Sequence, residues 1–192
     1  MPSTSTTRGF VMAGGRSSRM GRDKALLPYG RSTLLGNAIS IARAVTQDVR
    51  VLCGSSRRYE DFGAPVVPDE ICGAGPIAGL HAALTTASAD GVGHIFWLAV
   101  DTPLVPSSLL RDLIAALESA DIAMARTDRG IEPLCAAFRV APARAAVTRA
   151  ILSNRLKLTD ALRGLSVREV PHDAAPLANV NTPDEFERLS RR

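Results

Sequence analysis

Apolar and polar positions along this 192-residue chain fall into two alternating rhythms. Gly9 to Ala13 (GFVMA) is a short apolar run that predicts a strand, and a Gly/Ser/Arg stretch breaks it. From Thr33 to Val45, Leu34, Ala38, Ile41 and Val45 recur at helical spacing. Val49 to Cys53 (VRVLC) reads as a second strand and Pro65 to Val67 as a short third. Pro76 to Ala87 predicts a helix with Ile77, Leu80 and Leu84 on one face. His94 to Val100 (HIFWLAV) is apolar without alternation, as a strand covered on both faces should be. Ser107 and Ser108 stand where the next helix would be capped, ahead of a stripe of Leu110, Leu113, Ile114 and Leu117.

The second half is less regular. Ile122 to Arg126 and Pro133 to Arg139 read as strands, Ala143 to Leu152 as a helix and Val167 to Pro171 as a late strand. Thr182-Pro183-Asp184-Glu185 offers an N-cap, proline at the first helical position and Glu at the third, a capping box for a last helix. Strands alternating with helices predict an α/β fold: a mostly parallel sheet with helices on both faces. No internal repeat or linker divides the chain, so one domain over 1–192 is expected, with residues 1–8 as a disordered N-terminal tail.

Composition narrows the function. Hydrophobic residues make up 46% and charged residues 22%, ordinary for a globular protein. The net charge of +4, with Arg far outnumbering Lys, suits an anionic ligand such as a nucleotide or phosphoester. Aromatics are only 4% and no basic run stands out, which argues against nucleic acid as a partner. Cys53, Cys72 and Cys135 are scattered and form no Cys-x-x-Cys pair, so they read as reduced thiols. The polar start MPSTSTTRG has no signal-peptide core, and no apolar run approaches the ~18 residues of a membrane span. A soluble, cytoplasmic protein is expected, with no membrane partner.

Ligands of open parallel sheets bind outside the carboxyl ends of the strands, and three features of the sequence fall there. Ala13-Gly14-Gly15-Arg16-Ser17-Ser18-Arg19-Met20-Gly21-Arg22-Asp23-Lys24 follows the first strand. Its glycines allow backbone amides to approach an anion, while Arg19 and Lys24 add positive charge. It is neither a Walker A loop nor a G-x-G-x-x-G fingerprint. Asp101-Thr102-Pro103 follows the buried strand ending at Val100, where a carboxylate can hold Mg²⁺ facing phosphates or cap a turn. Asp69, followed by Gly73-Ala74-Gly75-Pro76-Ile77-Ala78-Gly79, reads as a loop around a base, with Pro76 starting a helix. His81, His94 and His172 are isolated, and the hydrolase elbow Gly-x-Ser-x-Gly is absent.

At these motifs the sequence resembles the MobA-like molybdenum cofactor guanylyltransferases, within the molybdopterin and sugar nucleotidyltransferase superfamily. The family pattern Leu-Ala-Gly-Gly-x-x-x-Arg-Met-Gly-x-Asp-Lys is matched by MAGGRSSRMGRDK, Met12 to Lys24, with Met12 in place of Leu. Gly-Pro-Leu-x-Gly becomes Gly75-Pro76-Ile77-Ala78-Gly79, Asp-x-Pro becomes Asp101-Thr102-Pro103, and Asn-Val-Asn-Thr-Pro-x-Glu is matched by Asn179 to Glu185. The similarity runs in order from Phe10 to Leu189.

The resemblance implies a Rossmann-like three-layer sandwich and Mg²⁺-dependent transfer of GMP from GTP to the terminal phosphate of molybdopterin, with release of pyrophosphate. It implies nucleotide contacts at Met12, Ala13, Gly14, Lys24, Asp69 and Asp101, the last also the metal ligand. Gly15 and Arg19 match positions near the triphosphate, and Asn179 and Asn181 match the end facing the pterin-bearing acceptor. Arg19, Lys24 and Asp101 are the expected catalytic residues. Transient contact with cofactor-delivery or molybdoenzyme proteins is a further expectation. One departure concerns the base: where some members carry Asn after the second strand, this chain has Cys53-Gly54-Ser55. The rival readings are a cytidylyltransferase for the same acceptor, a sugar- or metabolite-phosphate nucleotidyltransferase, and a non-catalytic nucleotide-binding protein. Cytidine-using relatives tend to carry Ala-Ala-Gly at Ala13-Gly14-Gly15, so the loop favours GTP.

Overall fold

Both faces of one central sheet are apolar, and that property dictates the layering. The computed structural model describes residues 6–14, 23–54, 58–71, 73–177 and 179. In chain order the elements are β1 (Thr7–Met12), β2 (Pro28–Tyr29), β3 (Ser32–Thr33), α1 (Leu34–Arg43), β4 (Val49–Leu52), β5 (Val66–Val67) and α2 (Pro76–Ala89). They continue with β6 (His94–Ala99), α3 (Ser107–Ala116), β7 (Ile122–Thr127), β8 (Gly130–Arg139), α4 (Val140–Leu152), α5 (Leu158–Ala161) and β9 (Val167–Pro171). Seven strands form one sheet in the order β5-β4-β1-β6-β8-β7-β9, and β2 and β3 pair as a separate small hairpin. Ladders β1–β4, β1–β6, β4–β5 and β7–β9 are parallel, whereas β8 runs antiparallel to both of its neighbours. This is the expected α/β sandwich with a mostly parallel sheet.

Successive residues of a strand point to opposite faces, so a strand covered on both sides has no polar side to show. Val11, Phe96 and Leu98 meet Leu35 and Ile39 of α1 and Leu110 and Leu113 of α3 on one face. Phe10, Ile95 and Trp97 meet Ile77, Leu80 and Leu84 of α2 and Val147 of α4 on the other. The continuous apolar run of β6 has this two-sided cover as its cause.

Several expectations need correction. β1 begins at Thr7, so residues 7 and 8 belong to the sheet and not to a disordered tail. Arg8 is only 4% exposed; its guanidinium donates to Asp48 at 2.7 Å and to Asp90 at 2.8 Å. Arg50 also reaches Asp90 at 2.8 Å. A buried charge is tolerated when it is paired, and an apolar-run criterion cannot see that. Helix α3 has Pro106 at its N-cap and no side-chain cap bond, so Ser107 and Ser108 lie inside the first turn. Helix α4 starts three residues earlier than expected, at Val140. The capping box at Thr182 to Glu185 lies outside the described residues.

Proline at position 133 is unexpected in an interior strand, because it has no N–H for the ladder. The β7–β8 register slips there: Met124 faces Ala136 while Ala125 faces Glu132. The freed carbonyl of Pro133 accepts the Trp97 indole N–H at 2.9 Å, and the Trp97 ring stands edge-on to Phe138 at 5.5 Å.

Candidate active site

Because β1, β4, β5 and β6 are parallel, their carboxyl ends share one edge of the sheet. Met12 ends β1 between Leu52 and Ala99. The N–H groups of Ala13 and Gly14 both donate to the Leu52 carbonyl at 2.9 Å. The Gly14 amide is therefore committed to the chain next to it, which corrects the expectation that it faces an anion. Gly14 has a different reason to be glycine. A Cβ there would lie 2.4 Å from the Gly54 nitrogen, closer than any side chain permits. Gly54 itself holds φ +72°, a left-handed conformation that favours glycine. Its carbonyl accepts the Asp69 N–H at 2.8 Å. The loops after β1, β4 and β5 are thus zipped together through Gly14, Gly54 and Asp69. The Cys53-Gly54 departure is a packing device at this point.

Asp69 follows β5 and faces α2: its Oδ1 is buried without a hydrogen-bond partner and lies 3.7 Å from where a Gly79 Cβ would stand. Burial raises its pKa above the ordinary carboxylate value. A carboxylate with an unused oxygen at the carboxyl edge of the sheet is poised to accept a hydrogen bond from a ligand.

Asp101 follows β6. Its turn is fixed by Thr102, whose hydroxyl donates to the Ala99 carbonyl at 2.9 Å, and by the α1 residue Asn37, whose amide donates to the Pro103 carbonyl at 2.9 Å. Lys24 opens a short 3₁₀ turn, Lys24–Leu26, and its Nζ lies 3.0 Å from Asp101 Oδ2. Asp101 Oδ1 is buried and has no partner. Two motifs separated by 77 residues in sequence thus meet at hydrogen-bond distance. Asn179 is exposed beyond β9, while Gly15, Arg19 and Asn181 lie outside the described residues.

The residues that sequence reasoning passed over hold this arrangement in place. Asp23 caps the 3₁₀ turn by accepting the Ala25 N–H at 3.1 Å. Its other oxygen accepts the Tyr59 hydroxyl at 2.7 Å and the Arg58 guanidinium at 2.8 Å. The preference of Asp for helix N-caps was a usable signal for Asp23. Nothing in the local sequence singled out Tyr59.

Residues 9–170 match the model of the MobA-like NTP transferase domain. This chain belongs to the MobA-like NTP transferase family. A relative named molybdenum cofactor guanylyltransferase, from Rhizobium leguminosarum bv. trifolii, is 35% identical over 95% of this chain and 91% of its own length. The fold is shared with molybdopterin-guanine dinucleotide biosynthesis protein A from Archaeoglobus fulgidus (TM-score 0.76, 24% identity, 96% of this chain and 97% of that one). It is also shared with 2-C-methyl-D-erythritol 4-phosphate cytidylyltransferase from Thermus thermophilus (TM-score 0.71, 19% identity, 95% of this chain and 96% of that one). The fold alone therefore does not choose the base.

Among the described residues no helix is long and apolar enough to cross a membrane. Nor do three or more His, Cys, Asp or Glu side chains there gather into a metal cluster.

Proposed function

We propose that this MobA-like transferase moves GMP from GTP to the terminal phosphate of molybdopterin, forming the guanine dinucleotide cofactor and pyrophosphate. The observation that carries the reading is the Lys24–Asp101 pair at 3.0 Å on the carboxyl edge of the sheet, with Asp101 Oδ1 left over. The family and the relative's guanylyltransferase name supply the class of donor and acceptor.

The arrangement fits Mg²⁺. That ion is held by one or two carboxylates together with substrate phosphates and water, and a single buried carboxylate oxygen without a partner is what Asp101 offers. When bound, the ion neutralises charge on the triphosphate. The remaining chemistry belongs to the chain and the substrates. A phosphomonoester is mostly dianionic near neutral pH, its second pKa being about 6, so the acceptor oxygen attacks the α-phosphorus without a general base. The bond from that phosphorus to the β-phosphate oxygen breaks, and pyrophosphate carries away the negative charge. Lys24, which faces Asp101 at 3.0 Å, is the cation placed to stabilise that charge, and Arg19 is proposed to assist it. Asp69 is assigned to the base or ribose, and Asn179 and Asn181 to the acceptor. Catalysis consists of positioning and electrostatics. Free thiols at Cys53 and Cys135 suit action in the cytoplasm, where delivery proteins or molybdoenzymes would be met transiently.

The test is pyrophosphate release with GTP and with CTP, each with and without molybdopterin, alongside calorimetric titration of both nucleotides with Mg²⁺. GTP should bind at least about tenfold more tightly, a difference of about 1.4 kcal/mol. Equal or reversed preference would remove the guanylyl assignment and leave a cytidylyl enzyme. Binding of nucleotide without turnover under any of these conditions would favour a sensor.

A further inference from the structure

Tyr59 combines three features that seldom coincide. Its backbone is left-handed (φ 72°, ψ 20°), which an aromatic residue rarely adopts. Its ring is buried, 7% exposed, with Phe62 edge-on at 6.4 Å and the Arg58 guanidinium 5.2 Å from the ring centroid. Its hydroxyl lies 2.7 Å from Asp23 Oδ2 and 3.4 Å from the Ala13 carbonyl. Strained backbone persists only where the surroundings over-determine it, and here the surroundings are contacts to two other segments.

Those two contacts bracket one stretch of chain. Ala13 precedes and Asp23 follows residues 14–22, the glycine- and arginine-rich stretch that contains Gly15 and Arg19, the positions matched to the triphosphate. The Ala13 side is already bonded to Leu52, and the Asp23 side continues through its cap on Ala25 into Lys24 and so to Asp101. The hydroxyl's one proton goes to Asp23 Oδ2, and the Ala13 carbonyl, at 3.4 Å, abuts the same oxygen without sharing that proton. Burial and the neighbouring Asp23 carboxylate hold the phenol pKa far above its usual value, so the group stays a donor throughout the working pH range.

We infer that Tyr59 is a positioning residue: its hydrogen bond to Asp23 holds the chain where it enters the 3₁₀ turn, and so sets Lys24 against Asp101 for the nucleotide. This rests on the nucleotidyltransferase reading for its consequence, but the tethering itself is independent of any substrate. Tethering before binding lowers the ordering cost that the nucleotide would otherwise meet, so its loss falls on nucleotide affinity more than on the chemical step.

Tyr59→Phe deletes the hydroxyl and keeps the ring. The expected result is a KM for GTP raised about tenfold, the scale of a lost hydrogen bond to a charged group, with kcat within about threefold of the parent. Hydrogen exchange on the ligand-free protein should quicken at Ala25 to Leu27 and stay unchanged in β7 and β9. Asp23→Ala should reproduce the KM effect, and the double variant should be no worse than either single one. Asp23→Asn keeps one acceptor oxygen for the Ala25 N–H but puts an NH2 donor where the Tyr59 hydroxyl donates, so it should preserve the cap and still show the KM rise. Unchanged exchange in Tyr59→Phe overturns the tether, whatever the activity. Additive effects in the double variant, or a loss that follows global unfolding, would overturn it as well. A parent enzyme that turns over no nucleotide would instead defeat the functional reading, and the exchange result would still decide on the tether.

Discussion

Gly14 and Gly54 lie backbone against backbone, so close that a methyl group on the first would stand 2.4 Å from the nitrogen of the second and 2.8 Å from its Cα. Neither obstacle is a side chain that can swing away. Gly14→Ala must therefore pry apart the loops after β1 and β4. We expect a lower Tm together with loss of nucleotide binding, measured by thermal melting and calorimetry. A Gly14→Ala protein that melts and binds like the parent would show that the two loops separate freely.

Gly79 provides the contrast. It lies inside α2, and a Cβ there would meet Leu52 Cδ1 at 3.6 Å and Asp69 Oδ1 at 3.7 Å, both ordinary contacts. Gly79→Ala should raise stability by up to about 1 kcal/mol through helix propensity. Denaturant midpoints at a constant m-value would measure it.

Asp101 is the residue on which the mechanism leans most. Asp101→Ala should cost roughly 3 kcal/mol of transition-state stabilisation, about a hundredfold in rate. Asp101→Asn preserves shape but removes the charge that Lys24 faces, so it should be nearly as slow. If Asp101 only shaped its turn, Asn would serve comparably, and near-normal turnover by a folded Asp101→Asn protein would refute the metal-ligand role.

Asp69 gives a prediction with opposite signs for stability and function. Burial raises its folded pKa above the unfolded value of 3.8. Between those two values the folded state holds more protons, so stability declines as pH rises through that window. Asp69→Asn removes the buried charge: Tm at neutral pH should rise and its fall across the acid window should flatten, while nucleotide affinity weakens. A neutral-pH Tm below that of the parent would contradict the account.

Much of this site was legible before any coordinates. Lys24 and Asp101 stand out because glycine-rich and Asp-x-Pro segments follow strands, and parallel strands end on a common edge. The Gly14 amide's role is not legible in the sequence, because its partner, the Leu52 carbonyl, lies in another strand, and a ladder contact leaves no local mark. Arg8 reads as part of a tail, since hydropathy scores a residue and not its partners Asp48 and Asp90. Tyr59 escaped for the same reason, its meaning residing in Asp23 and Ala13. The register slip at Pro133 was invisible too, because proline in a predicted strand signals an irregularity without saying which neighbour fills it.

The chain's single tryptophan turns the bulge in β8 into an optical gauge. Trp97 is wholly buried, with its indole N–H tied to Pro133 and its ring against Phe138. Its fluorescence will register the opening of the central sheet, while rearrangements confined to the nucleotide loops should leave the emission maximum where it is. A red shift that coincides with the loss of circular dichroism would identify a variant that unfolds cooperatively. A variant that has lost turnover but keeps the parent's emission has been altered at the edge of the sheet and not in its interior.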